Sequence, residues 1–78
     1  MPTVLRASGY RVFFTAHDRS EPPHVHVVRT DGHAKVWLDP LELAWARGLR
    51  SDPVTELLEL VDNRRVLLLE AWHDYFAH

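Results

Sequence analysis

Residues 24–40 read HVHVVRTDGHAKVWLDP, and the way this stretch alternates decides the fold. Side chains along a strand point to opposite faces with a period of two, so alternating polar and apolar residues mark a half-buried strand. His24 to Thr30 and His33 to Leu38 are two such runs, separated by Asp31-Gly32. Asp-Gly is the favoured pair for a two-residue type I′ hairpin loop, because both central residues need positive φ. With that turn Thr30 pairs with His33, His26 with Trp37 and His24 with Asp39. Val25, Val27, Ala34, Val36 and Leu38 then share the core face, and the opposite face collects His24, His26, Thr30, His33, Lys35, Trp37 and Asp39. A slip of one residue would set His26 against Val36 and Lys35 against Val27, mixing the two sets.

Upstream, the alternation continues. Thr3 to Arg6 and Tyr10 to Ala16 flank Ser8-Gly9, a tight turn, and Tyr10, Val12, Phe14 and Ala16 share one face. His17 to Glu21 is a polar connection, after which Pro22 and Pro23 stiffen the chain. Downstream, the period becomes helical. Asp39 reads as an N-cap, Pro40 as the first helical residue and Glu42 as a charge suited to the first turn. Leu41, Leu43, Ala44, Trp45 and Ala46 then form a short apolar helix that stops at Gly48. Ser51-Asp52-Pro53 opens a second helix, in which Leu57, Leu58, Val61, Leu68, Leu69, Trp72, Tyr75 and Phe76 recur at three- and four-residue steps. It is read as one helix about 35 Å long, with Asn63 as the alternative point for a break. The expected architecture is a single α+β domain over residues 1–78. An antiparallel meander of three to four strands fills 1–39, and a short helix and a long C-terminal helix in 40–78 cover the valine face.

Composition narrows the function classes. A chain of 78 residues buries only about 60–70% of the surface it exposes unfolded, so a homodimer is expected to supplement its small core. The absence of cysteine excludes a disulfide framework and a zinc–thiolate site. MPTVLRASG has no signal segment and no run is long enough to span a bilayer, so the chain is expected to be cytoplasmic with no membrane partner. Nine Lys and Arg against eleven Asp and Glu give a net charge of −2, which makes general attraction to phosphate backbones weak. Six histidines can reverse the sign locally, or below a pH of about 6.5.

Histidines at i and i+2 on a strand stand about 6.5–7 Å apart at the backbone, and an oxyanion or a metal fits between their rings. Three kinds of chemistry suit that face. The first is cleavage of RNA without any cofactor, with His24, His26 and Lys35 as catalytic residues. One imidazole takes the 2′-hydroxyl proton, the other protonates the leaving oxygen, and Lys35 stabilises charge on phosphate, while Trp37 and His33 contact the substrate. The second is a site for zinc or another divalent metal on His24, His26 and Asp39, with His17 or His33 as a further donor; no H-E-x-x-H helix accompanies it. The third is a non-catalytic interaction module, in which the imidazoles satisfy backbone groups, Trp37 lies over them and Asp39 only caps a helix.

The order MPTVLR, GYRVFF, EPPHVHV, AKVWLDPLELAW, RGL, LLELVDNRRVLLLEAWHDYF resembles, over nearly the whole chain, the bacterial and archaeal family catalogued as domain of unknown function 4160. The PPHxHV and KxWLxP segments are its most specific part. The resemblance implies a small single domain that forms half of a two-gene cassette of toxin-antitoxin type, with a cognate protein encoded by a neighbouring gene as partner. It carries over no catalytic residues. Its most recognisable positions here are Pro23, His24, His26, Lys35, Trp37, Asp39 and Pro40.

Overall fold

Ser8 and Gly9 take φ values of 54° and 81°, as the central residues of a type I′ loop do, and the first hairpin closes on them. In the computed structural model, which describes residues 3–77, β1 (Thr3–Ala7) and β2 (Tyr10–Phe13) flank this turn. A short 3-10 helix, Ala16–Ser20, leads to β3 (His24–Arg29), β4 (Gly32–Leu38) and β5 (Leu41–Arg47), and then to α1 (Ser51–Asn63) and α2 (Arg65–Phe76). The strands form one antiparallel sheet in the order β1-β2-β3-β4-β5. This is the expected α+β meander followed by helices, with five strands. Met1, Pro2 and His78, and with them the start of the MPTVLR motif, lie outside the described residues.

The β3–β4 turn differs from expectation by two residues. Arg29 pairs with Gly32, which leaves Thr30 and Asp31 in the loop, and each partner moves accordingly: His24 faces Trp37 and His26 faces Lys35. Among the described residues positive φ is confined to Ser8, Gly9 and Gly48, so Gly32 does not serve a type I′ loop. It serves a close approach. A Cβ on Gly32 would lie 2.5 Å from Leu49 Cγ and 2.6 Å from the Arg47 carbonyl oxygen, where the end of β5 passes the hairpin. Because the shift is even, no side chain changes face. Val25, Val27, Ala34, Val36 and Leu38 are all fully buried.

Leu41–Arg47, expected as a short helix, is the fifth strand. Leu41 pairs with Leu38, Leu43 with Val36 and Trp45 with Lys35, so Ala44 is an extra residue bulged between two partners. Asp39-Pro40, a cis peptide, is the connection between β4 and β5 and not a helix start. The helical half therefore begins at Ser51. It is also divided: Arg64, at φ −117° and ψ 16°, separates α1 from α2.

Helix residues Leu57, Leu60, Val61, Leu68 and Trp72 meet Tyr10, Val12, Phe14 and the valine face in one buried cluster. Burying each such side chain is worth about 1.5–3 kcal/mol, which is what holds the helices on this side of the sheet. Polar ties fix their ends. The Tyr10 hydroxyl donates to the Pro53 carbonyl at 3.2 Å, and Arg65 donates to the Leu38 carbonyl while pairing with Asp39 at 2.9 Å. No helix of the described residues is long and apolar enough to cross a membrane.

Candidate functional site

Opposite the helices, the sheet carries Arg6, Arg11, Phe13, His26, His33, Lys35, Trp37, Trp45 and Arg47, set there by strand alternation and the register of five paired strands. Rings pack against one another across it. His26 stacks on Phe13 with centroids 5.3 Å apart, and His33 lies 5.4 Å from His26 and 4.9 Å from Trp45. Three of the rings each hold a cation: Arg11 at 4.6 Å over Phe13, Lys35 at 4.5 Å over Trp37 and Arg47 at 4.9 Å over Trp45. Cation–π contacts of this kind contribute about 0.5–1 kcal/mol at exposed sites and pre-position charge above an apolar surface.

At one end of this face, the histidine pair meets the 3-10 helix. The Asp18 amide donates to the Thr15 carbonyl at 3.0 Å and the Thr15 amide donates to Asp18 Oδ2 at 2.8 Å, so the segment T-A-H-D closes on itself. Oδ1 is thereby left to face the sheet. It lies 3.2 Å from His24 Nε2 and 3.4 Å from His26 Nε2. Burial raises the Asp18 carboxyl, but the Thr15 amide and the two imidazoles outweigh it and leave the group below its ordinary value.

His24 is the most constrained member. Its side chain is 0% exposed, against 17% for His26 and 12% for Asp18. Trp37 and Trp72 lie at 5.3 and 5.2 Å between centroids, and His26 at 5.3 Å. Nδ1 sits 2.9 Å from the Pro22 carbonyl oxygen, which can only accept, so Nδ1 carries a proton and donates it. The Pro22 carbonyl therefore fixes the tautomer, while the Pro23 carbonyl accepts from the Leu38 amide. Nε2 has Asp18 close by without the alignment of a hydrogen bond.

Lys35 stands opposite His26 and donates to Glu21 Oε1 at 2.7 Å. That hydrogen bond holds the Glu21 carboxyl below its usual range, and the same oxygen is 3.8 Å from His24 Nε2. Burial pushes the His33 imidazole below its ordinary value, with His26 and Arg47 acting in the same direction.

His24, His26, Lys35, Trp37 and His33 thus share one face, as the sequence indicates, but they are not disposed as an imidazole acid–base pair. A general base has to come within about 2.6–3.2 Å of the proton it takes. His24 has no exposed atom, and its Nδ1 is committed to Pro22. Lys35 is already paired with Glu21. Nor does Asp39 join the histidines. The two-residue change of register puts Trp37, not Asp39, opposite His24, and Asp39, in the β4–β5 turn, pairs with Arg65 at the start of α2. Asp18 takes its place, from the segment read only as a polar connection. Among the described residues Asp18, His24 and His26 are the one group whose donor atoms lie close enough to share a cation.

A family model described as "Domain of unknown function (DUF4160)" matches residues 9–73. No curated protein and no solved structure matches the chain.

Proposed function

We propose, from the premise that this chain belongs to the DUF4160 family, that it binds single-stranded RNA through the open face of its sheet. The observation that carries this reading is the pair of partly exposed tryptophans on that face, Trp37 and Trp45, each with a cation beside it and flanking the buried Phe13 ring that Arg11 covers. Aromatic side chains on a sheet stack unpaired bases, and neighbouring Arg and Lys take the phosphates. Charge is divided in the same sense. Residues 1–50 hold seven Lys and Arg against five Asp and Glu, whereas residues 51–78 hold two Arg against six acids. An overall negative chain thus carries its net positive charge in the half that holds the sheet and its net negative charge in the helical layer, which favours the sheet side for an anionic ligand.

With His24 sealed and Lys35 paired, the reading is one of binding without cleavage by the histidine pair. Fluorescence anisotropy of a labelled single-stranded RNA tests it. With Lys35 held by Glu21, neutralising one or two phosphates gives an expected slope of about −1 in log K against log salt, and Trp45→Leu is expected to weaken binding by about 1–3 kcal/mol. Arg47→Glu abolishes binding and Glu59→Lys on α1 does not. Failure to bind at low salt, or equal losses from sheet and helix substitutions, removes the proposal.

The toxin-antitoxin-type pairing and the homodimer belong to the same proposal and rest on family resemblance and on the small size of the core. Co-purification with the neighbouring gene's product and a light-scattering mass check them. A complex and a two-chain mass are expected, and a lone 9.1 kDa monomer removes both.

A further inference from the structure

We propose that Asp18, His24 and His26 form a site for a divalent metal of the zinc class, with Asp18 Oδ1 and the two Nε2 atoms as ligands. The donor set of two imidazoles and one carboxylate is that of three-ligand zinc sites, which keep a further position open for water. Bonds of 2.0–2.1 Å in a tetrahedron set neighbouring donors about 3.3–3.4 Å apart. Here two of the three separations are 3.2 and 3.4 Å, and all three donors lie within 4.8 Å of one another.

The surroundings of His24 favour a cation over a simple hydrogen bond. Its Nδ1 proton is spent on the Pro22 carbonyl, which in the neutral ring leaves a lone pair on Nε2. That nitrogen is fully buried, faces a carboxylate oxygen 3.2 Å away, and has no hydrogen-bond partner. A carboxylate oxygen this close to a ring nitrogen calls for positive charge between them, either a proton on Nε2 or a metal ion. Donors around a shared ion aim at the ion and not at each other; His24 Nε2, close to Asp18 Oδ1 but unaligned, fits that arrangement, while His26 Nε2 holds the same oxygen in a hydrogen bond of 3.4 Å. The outer contacts of two of the three ligands fit as well, His26 Nδ1 being buried without a partner. Metal-bound histidines characteristically donate their other N–H to a backbone carbonyl, and ligating carboxylates are themselves hydrogen-bonded. Pro22 does the first for His24 and the Thr15 amide the second for Asp18. Glu21 Oε1, 3.8 Å from His24 Nε2 and held by Lys35, is placed as a reserve donor or a partner for metal-bound water.

The test uses the full chain expressed without a histidine tag and stripped with chelator. Zinc chloride is titrated calorimetrically, and cobalt(II) is added for its visible spectrum. One equivalent per chain and tetrahedral cobalt bands are expected, with magnesium at equal concentration failing to compete because nitrogen donors do not suit it. Asp18→Asn and His26→Gln, each confirmed as folded by circular dichroism, are expected to weaken zinc binding by about 10–100-fold or more. His17→Ala and His73→Ala leave it unchanged. Uptake of less than about a tenth of an equivalent by the native chain overturns the site. So does zinc affinity that survives Asp18→Asn and His26→Gln together, since the metal would then sit elsewhere.

Discussion

Replacing Gly32 by alanine, and separately by asparagine, distinguishes two reasons for a glycine in the β3–β4 hairpin. If Gly32 supplied positive φ to a type I′ loop, asparagine would be tolerated well, since its short polar side chain adopts that conformation readily. Here φ at Gly32 is not positive, and a Cβ would lie 2.5 and 2.7 Å from Leu49 Cγ and Cδ2 and 2.6 Å from the Arg47 carbonyl oxygen. Ordinary contact distances are roughly 3.5–4.0 Å. Leu49 can rotate away, but the Arg47 carbonyl can yield only by moving the end of β5. Overpacking of this kind typically costs about 1–3 kcal/mol. A 78-residue domain has about 4–12 kcal/mol in total at 0.05–0.15 per residue. Urea unfolding followed by tryptophan fluorescence reads the loss directly: at about 1 kcal/mol/M the midpoint falls by about 1–3 M for both variants. An asparagine variant within about 0.5 kcal/mol of wild type contradicts the close-approach reasoning and restores the type I′ turn.

Other expectations follow from the same contacts. Val27→Ala, on the buried face, is expected to cost about 2–3 kcal/mol, and Val28→Ala, on the open face, under about 1, measured by the same unfolding curves. Asp39→Asn removes a pair with Arg65 in which Asp39 is 68% exposed, so it costs at most about 1 kcal/mol and leaves zinc affinity intact. A loss of metal affinity in that variant would reinstate Asp39 as a ligand. Burial raises the Tyr10 phenol, opposed by the hydrogen bond from Arg29. The folded protein therefore prefers the neutral phenol more than the unfolded chain does. Its contribution to stability is full below about pH 10, the ordinary tyrosine value, and is lost as pH rises through the folded value. Absorbance titration is expected to show Arg29→Met moving Tyr10 further up, and Tyr10→Phe removing that loss of stability at high pH.

How far the sequence reached depends on which physical signal each segment carries. Period-two alternation in β3 and β4 is strong, and it sorted the core valines from His26, His33, Lys35 and Trp37 although the register was off by two, but it gave no sign that His24 is sealed between Trp37 and Trp72. Only an odd shift changes faces, so the error was invisible to hydrophobic pattern. The preference of Asp-Gly for type I′ turns pointed to the wrong loop, because the glycine answers to Leu49 and Arg47, contacts remote from the hairpin in sequence. In β5 the bulge at Ala44 breaks the alternation and leaves apolar residues at 41, 43, 44 and 46, spacing that imitates a helix, and Asp39-Pro40 completes the imitation. Asp18 was legible only through T-A-H-D, a capping-box-like pattern in a segment otherwise read as connection. Trp72 against His24 joins the C-terminal helix to β3, and no local pattern announces it.

Backbone amide mapping by NMR on addition of single-stranded RNA tests most directly the idea that this domain works through one face of its sheet. Chemical-shift changes are expected to concentrate on Arg11, Phe13, His33, Lys35, Trp37, Trp45 and Arg47, and to leave α1 and the exposed side of α2 unmoved. Changes centred on the helices, or none at saturating RNA and low salt, would contradict it.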